Sequence, residues 1–366
     1  MDTIPPNQPA DGAMGSSTTT PGLQPDRAVK KPRGPGNPSA LRKSIFASRN
    51  TRDLGRIACI AALSELYRYR ILRTLDLAFA LYPDRTLTAA LAAASNLAAG
   101  LVKDKLVRRH VTRDGLSIYG LTQAGANMLH ENGLEDAKAH RSLAEIRHPE
   151  HRLWANLLVI AANARGTGAA TEGEVLKYEY ECGEKTLDAN FNIISCIPQK
   201  LLRVRLPDNA DGTPRYKGLT PDALLTEHNA HTWIEVDMSK RSSDRVSDLQ
   251  RLINAIGSKL SNDNVLQRLV IFTKSQRCYT NIKGLLTKRS KEQIEMASLY
   301  LKATGVEGVF EVWYHPSFAD DKTGLKATDA FRGWAQVQVL PNIRQAGEGW
   351  YTANWLPFAR YDSPQP

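Results

Sequence analysis

Apolar and polar positions along this chain recur with two distinct periods, and the switches between them mark its organisation. Between Leu54 and Tyr67, the residues Ile57, Ile60, Ala61 and Leu63 return at helical spacing. A second short helix is predicted over Arg70–Leu81, stopping at Tyr82-Pro83 because proline disfavours helical backbone in the residue before it. Thr86–Lys105 is a long Ala/Leu segment whose buried stripe is Leu87, Leu91, Ala94, Leu97, Ala98 and Leu101. The period then shortens to two. DKLVRRHVTRDGLSIYGL predicts a strand, a turn at Asp114-Gly115 and a second strand over Leu116–Leu121, after which Thr122 can cap a closing helix.

Downstream, Leu134–Arg147 is charged and predicts a solvated helical bridge, whereas Glu150–Ala164 is apolar enough to lie on a sheet. The pattern then predicts strands over 174–181, 219–226 and 231–238, a helix over 242–260, a strand over 266–273, a helix over 279–303 and a strand over 308–314. Lys185–Arg215 is an irregular insertion that would fold over a site or contact DNA, and Trp334–Leu340 is a further strand.

Chemistry concentrates in Leu219–Lys240, LTPDALLTEHNAHTWIEVDMSK. Side chains of a strand alternate between faces, so Glu235 and Asp237 share one face and Ile234 and Val236 the other. If the two apolar segments pair as a hairpin across the polar turn at Glu227–Ala230, Asp222 reaches the face of Glu235 and Asp237. Three carboxylates at one sheet end repel one another unless a cation lies between them, and hard oxygen donors select Mg2+ or Mn2+. The alternative is that these acids cap the next helix or pair with Arg241 and Arg245, an exposed ion pair of about 0–1 kcal/mol. Glu150 is a further candidate carboxylate. His148 and His151, three apart, could face one way on a helix, but no third ligand lies nearby in sequence.

Three helices, a two-stranded wing and a helix is the winged helix-turn-helix order, and LVRRH…Y-x-LT-x-x-G resembles the wing of that fold. The resemblance implies that the third helix enters the major groove, with Ser95 and Asn96 facing bases, and that Lys103, Lys105, Arg108, Arg109 and Arg113 contact phosphates. Such a unit can also serve dimerisation or protein contact. The PD…EVD stretch resembles the PD-(D/E)xK nuclease signature, with Asp237 where that pattern has lysine. The implied fold class is α/β (α+β): an N-terminal winged helix-turn-helix followed by a restriction-endonuclease-like αβββαβ domain.

Winged helix, PDA, EVD, a charged helix and a strand like RLVIFT together resemble the replication-relaxation family, related to the MobC-type mobilisation relaxases. The likeness runs over roughly residues 54–315. It implies a plasmid or mobile-element protein that nicks DNA by metal-assisted phosphodiester cleavage at an origin-like duplex site, with accessory mobilisation or replication proteins as partners. Asp222, Glu235 and Asp237 would hold Mg2+ or Mn2+, and Lys259, or Lys240 nearer in sequence, would replace the absent motif lysine. A DNA-binding regulator with a dead nuclease fold is the alternative. No His-hydrophobic-His triplet of a conventional relaxase occurs.

Composition narrows this further. The 366 residues carry a net charge of +10, which favours a polyanionic partner. The implied divisions are a disordered basic tail over 1–52, a DNA-binding domain over 53–133, a connector over 134–168, a nuclease domain over 169–316 and an extension over 317–366. The tail holds eight basic residues against three aspartates and could track phosphates or remain solvated. In the extension, Trp350, Tyr351, Trp355 and Phe358 could stack on bases or pack back onto the domain. The four cysteines show no zinc spacing, no apolar run approaches the ~18 residues that span a bilayer, and no secretory signal is visible. A cytoplasmic protein without membrane contact is expected.

Overall fold

In the computed structural model, the chain is described over residues 51–140, 149–164, 166–188, 190–239, 242–291, 299–314 and 329–342. Eight helices and thirteen strands occur among these residues, and the main sheet has seven strands of mixed direction. Residues 1–50 of the predicted tail, His148, Lys240 and the aromatic C-terminal segment lie outside the described residues, and residues 51–52 of that tail belong to the first helix.

The first helix, α1, is Thr51–Tyr69, followed by α2, Thr74–Leu81, and α3, Leu87–Lys103. Thr86 caps α3 by accepting the Ala89 N–H. The helix ends in a pair of reversed bonds: Leu106 N–H donates to Leu101 O and Lys105 N–H to Val102 O, with Lys105 in the left-handed region at φ 58°. An antiparallel ribbon follows, β1 (Val107–Val111) with β2 (Ser117–Leu121), turned through Gly115 at φ 76°. Thr122 then caps α4, Gln123–His130, by accepting the Gly125 N–H, and its own hydroxyl reaches Leu106 O. Gly125 is required here, since a Cβ would lie 2.3 Å from Leu106 O. That explains the T-x-x-G spacing physically.

The predicted helical bridge differs. Leu134–His140 has no regular structure; it turns back on α4, with Ala137 buried and His130 Nε2 2.7 Å from Ala137 O. Residues 141–148 lie outside the described residues.

Helix α5, Pro149–Ala164, is the central packing element. Leu157, Leu158, Val159, Ile160, Ala161 and Ala162 are all buried, as in a helix covered on every side. One face joins α1–α3 and the other joins Ile234, Val236, Val270 and Phe272 of the sheet in a single core. Each large aliphatic buried there contributes about 1.5–3 kcal/mol as an upper estimate. Asn156 fixes the junction: its Nδ2, in a 4 % exposed residue, donates to Tyr69 O at 3.2 Å and Ile71 O at 3.0 Å.

The sheet begins with β3, Gly168–Thr171. The segment predicted as a strand over 174–181 is a helix instead, α6, Glu172–Glu181. Thr171 and Glu174 bond reciprocally as a capping box, starting a helix whose buried positions, Val175 and Glu179, are four apart. Two small antiparallel pairs follow: β4 (Glu184–Leu187) with β5 (Ile193–Ile197), and β6 (Leu202–Leu206) with β7 (Arg215–Leu219). The main sheet resumes with β8, Ala223–Glu227, and β9, Ala230–Asp237, turning through His228 at φ 53°. Helix α7 is Ser243–Ala255, shorter than predicted because the chain turns at Gly257, φ 83°.

Next come β10 (Val265–Thr273), α8 (Gln276–Lys291), β11 (Leu299–Ala303), β12 (Val309–Tyr314) and β13 (Ala330–Val339). The helix predicted over 279–303 therefore ends early and a strand takes its last residues. The strand order is β11-β12-β13-β10-β9-β8-β3. Only β10 pairs in parallel, with β9 on one side and β13 on the other. Strand β13, expected in an extension, is thus an interior strand. Trp233, Leu249, Ile253, Leu269, Ile271 and Val337 belong to the second core, on the α7–α8 face. Among the described residues, no helix is long and apolar enough to cross a membrane.

Candidate functional site

The parallel pair β9–β10 ends in register, Asp237 beside Thr273, and chemically active side chains collect at this end. Asp222 precedes β8. Its N–H donates to Ile234 O at 3.1 Å, and its Oδ2 accepts the Val236 N–H at 2.7 Å. The hairpin predicted from alternation therefore forms, and it brings Asp222 against the Glu235 segment. Glu235 Oε1 accepts the indole N–H of fully buried Trp233 at 2.8 Å, two residues back on the same strand face. Asp237 is 2 % exposed, on the face it shares with Glu235.

His151, in the first turn of α5, closes the cluster. Its Nε2 lies 3.1 Å from Asp222 Oδ2. That hydrogen bond raises the imidazole above its ordinary value against the opposing effect of burial, helped by the charges of Asp222, Glu235 and Glu172. The protonated imidazole is thus favoured beside Asp222. Of His148 and His151, which could face one way on a helix, His148 lies outside the described residues. Among the described residues, no group of three or more His, Cys, Asp or Glu side chains is arranged to hold a metal ion.

The lysine expected to serve this cluster lies elsewhere. Lys259 bridges Val265 at the opposite end of β10, eight residues from Thr273. At 3.3 Å per residue that is about 26 Å, beyond the reach of a lysine side chain. Lys274 sits at the right end instead. Its N–H donates to Asp237 O at 2.9 Å, and its Nζ is 2.6 Å from Glu150 Oε2. Sequence reasoning missed Lys274 because it follows the neighbouring strand, not β9. No local signal marked it, because the parallel pairing of EVD with VIFT is a long-range contact. Glu150, expected as an extra carboxylate, is placed at this end by the same pair.

On the helical unit, Ser95 and Asn96 are exposed on α3, and Lys103, Lys105, Arg108, Arg109 and Arg113 are all exposed. They do not share one face. Lys103 and Lys105 lie at the base of the ribbon and Arg113 at its tip, while alternation puts Arg109 with Val111 on one side and Arg108 with His110 on the other. Arg109 is steadied by Ser117 Oγ, 2.9 Å from Nη2.

His231 has a structural role. Nδ1 faces Leu225 O at 3.3 Å and Thr226 Oγ1 at 3.0 Å, while Nε2 faces the amides of Asn262 and Asn264 at 2.8 and 3.0 Å. The partners assign the Nδ1–H tautomer, and burial lowers its tendency to protonate. Compared with protein-family models, with curated proteins and with solved structures, the chain finds no match.

Proposed function

We propose that this chain is a DNA-binding, metal-dependent endonuclease or nickase, with its cleavage site at the Asp222–Glu235 end of the sheet. One observation carries the reading. Helix α5, strands β3, β8 and β9, helix α7 and strand β10 occur in the αβββαβ order, with α6 and the β4–β5 and β6–β7 pairs inserted between β3 and β8, Asp222 entering the second strand and Glu235 on the third. The resemblance read from the sequence requires this connectivity, and the pairing of β9 with β10 in parallel agrees with it. The α1–α3, β1–β2, α4 order supports a winged helix-turn-helix as the DNA-binding unit, with Lys103, Lys105, Arg109 and Arg113 on phosphates.

The donor set suits Mg2+ or Mn2+, because Mg2+ takes one or two protein carboxylates and completes its shell with water and phosphate oxygens. Asp222 and Glu235 would hold it, with Asp237 two residues beyond Glu235 on β9. Once bound, such an ion polarises the scissile phosphate and lowers the pKa of an attacking water. The chain's own contribution is placement. Trp233 and the Val236 N–H aim the two carboxylates, and the Lys274 ammonium stands ready for the charge that develops on the phosphate. Lys274 therefore takes the role first expected of Lys259.

A second reading, a DNA-binding regulator that does not cut, is favoured by Asp237, which stands buried where the signature has lysine. The two separate cleanly. Asp222→Ala combined with Glu235→Ala abolishes cleavage and leaves duplex binding intact if the site is an endonuclease. A wild-type protein that binds duplex and never cleaves it establishes the regulator.

A further inference from the structure

At the other end of the sheet, a groove of about 690 Å3 opens between β6, the C-terminal half of α7 and the turn that follows it. Five cations line it, Lys200, Arg203, Arg205, Arg251 and Lys259, and no carboxylate does. The pattern LRVRL explains the first part: Leu202 and Val204 are buried, so Arg203 and Arg205 share the outward face of β6.

Three of these cations are held by carboxylates outside the lining. Glu179, fully buried, takes Lys200 Nζ at 2.7 Å on one oxygen and the Leu201 N–H at 2.9 Å on the other. Asp248 accepts from Arg251 at 2.9 Å, and Asp208 accepts from Arg205. Arg203 and Lys259 are exposed and make no ion pair or side-chain hydrogen bond among the described residues.

We propose that this groove is a second binding site for the phosphodiester backbone of DNA. An open trough lined by five cations, of which Arg203 and Lys259 make no ion pair among the described residues, suits a charged chain better than an enclosed small ligand. The identity of the polymer rests on the nuclease reading above; the anionic class of the ligand does not. Lys259 stands about 26 Å along β10 from the carboxylate end, so the groove holds backbone about eight base pairs from the cleaved bond.

The test is fluorescence anisotropy of the full chain with a labelled duplex of about 30 base pairs over a salt series. Arg203→Ala with Lys259→Ala is expected to fold normally, since both side chains are exposed, and to reduce the salt slope of log K by about two. The control pair Lys138→Ala with Lys302→Ala leaves the slope unchanged. An unchanged slope in the groove variant, or an equal fall in the control, overturns the groove and leaves the nuclease reading standing. Absence of salt-sensitive duplex binding by the wild type overturns both. A reduced slope in a protein that never cleaves supports the groove and refutes the nuclease.

Discussion

Trp233→Phe separates the aiming of Glu235 from its chemistry. The indole N–H donates to Glu235 Oε1 at 2.8 Å from a residue with no exposed surface, so the carboxylate is oriented by a fixed donor. Phenylalanine retains a buried ring and removes that donor alone. A hydrogen bond to a charged acceptor contributes about 1.5–3 kcal/mol, and the partial exposure of Glu235 places this one near the lower end. About 1.5 kcal/mol corresponds to roughly a tenfold change in an equilibrium constant. The expected result is about tenfold weaker Mn2+ binding by calorimetry, with the cleavage rate at subsaturating metal falling in parallel. The smaller ring also costs roughly 1–3 kcal/mol of folding stability, read separately by urea denaturation. Unchanged or tighter Mn2+ binding in a folded variant would refute the idea that Trp233 orients a metal ligand.

Three further outcomes follow from individual contacts. Asn156→Ala leaves buried carbonyls of Tyr69 and Ile71 without their amide donor and should cost about 2–4 kcal/mol, seen as a lower urea midpoint with unchanged slope. His231 is held below its ordinary pKa by burial, so its contribution is present above the unfolded value near 6.5 and is lost as pH falls through the lower folded value. Denaturation midpoints should therefore drop on acidification below about pH 6.5, and His231→Gln should flatten that part of the profile. Arg109→Ala with Arg113→Ala should weaken binding of unrelated duplexes about equally and lower the salt slope by about two.

Much of this arrangement was legible because local rules and tertiary contacts agree. The Ala223–Glu227 and Ala230–Asp237 hairpin follows from alternation across a polar turn, and T-x-x-G marks a cap and a close backbone approach. The misreading of 174–181 has a specific cause. KYEYE alternates like a strand, but the capping box at Thr171 and Glu174 commits the backbone to a helix, leaving the short GAAT segment to pair with β8. Small residues give no strand signal because their pairing is backbone-driven. The interior place of β13, predicted only as a strand of the extension, and the position of Lys274 were not read for another reason. Both are set by the parallel pairings of β10, with β13 on one side and with β9 on the other, long-range contacts that no local period encodes.

The most direct test of the cleavage site is incubation of the purified chain with supercoiled plasmid in Mg2+, Mn2+ or EDTA. Metal-dependent conversion to open circles, lost in Asp222→Ala and reduced in Lys274→Ala, is the predicted result. No conversion with either metal, beside tight and salt-sensitive binding of the same plasmid, would contradict it and establish the non-cleaving regulator.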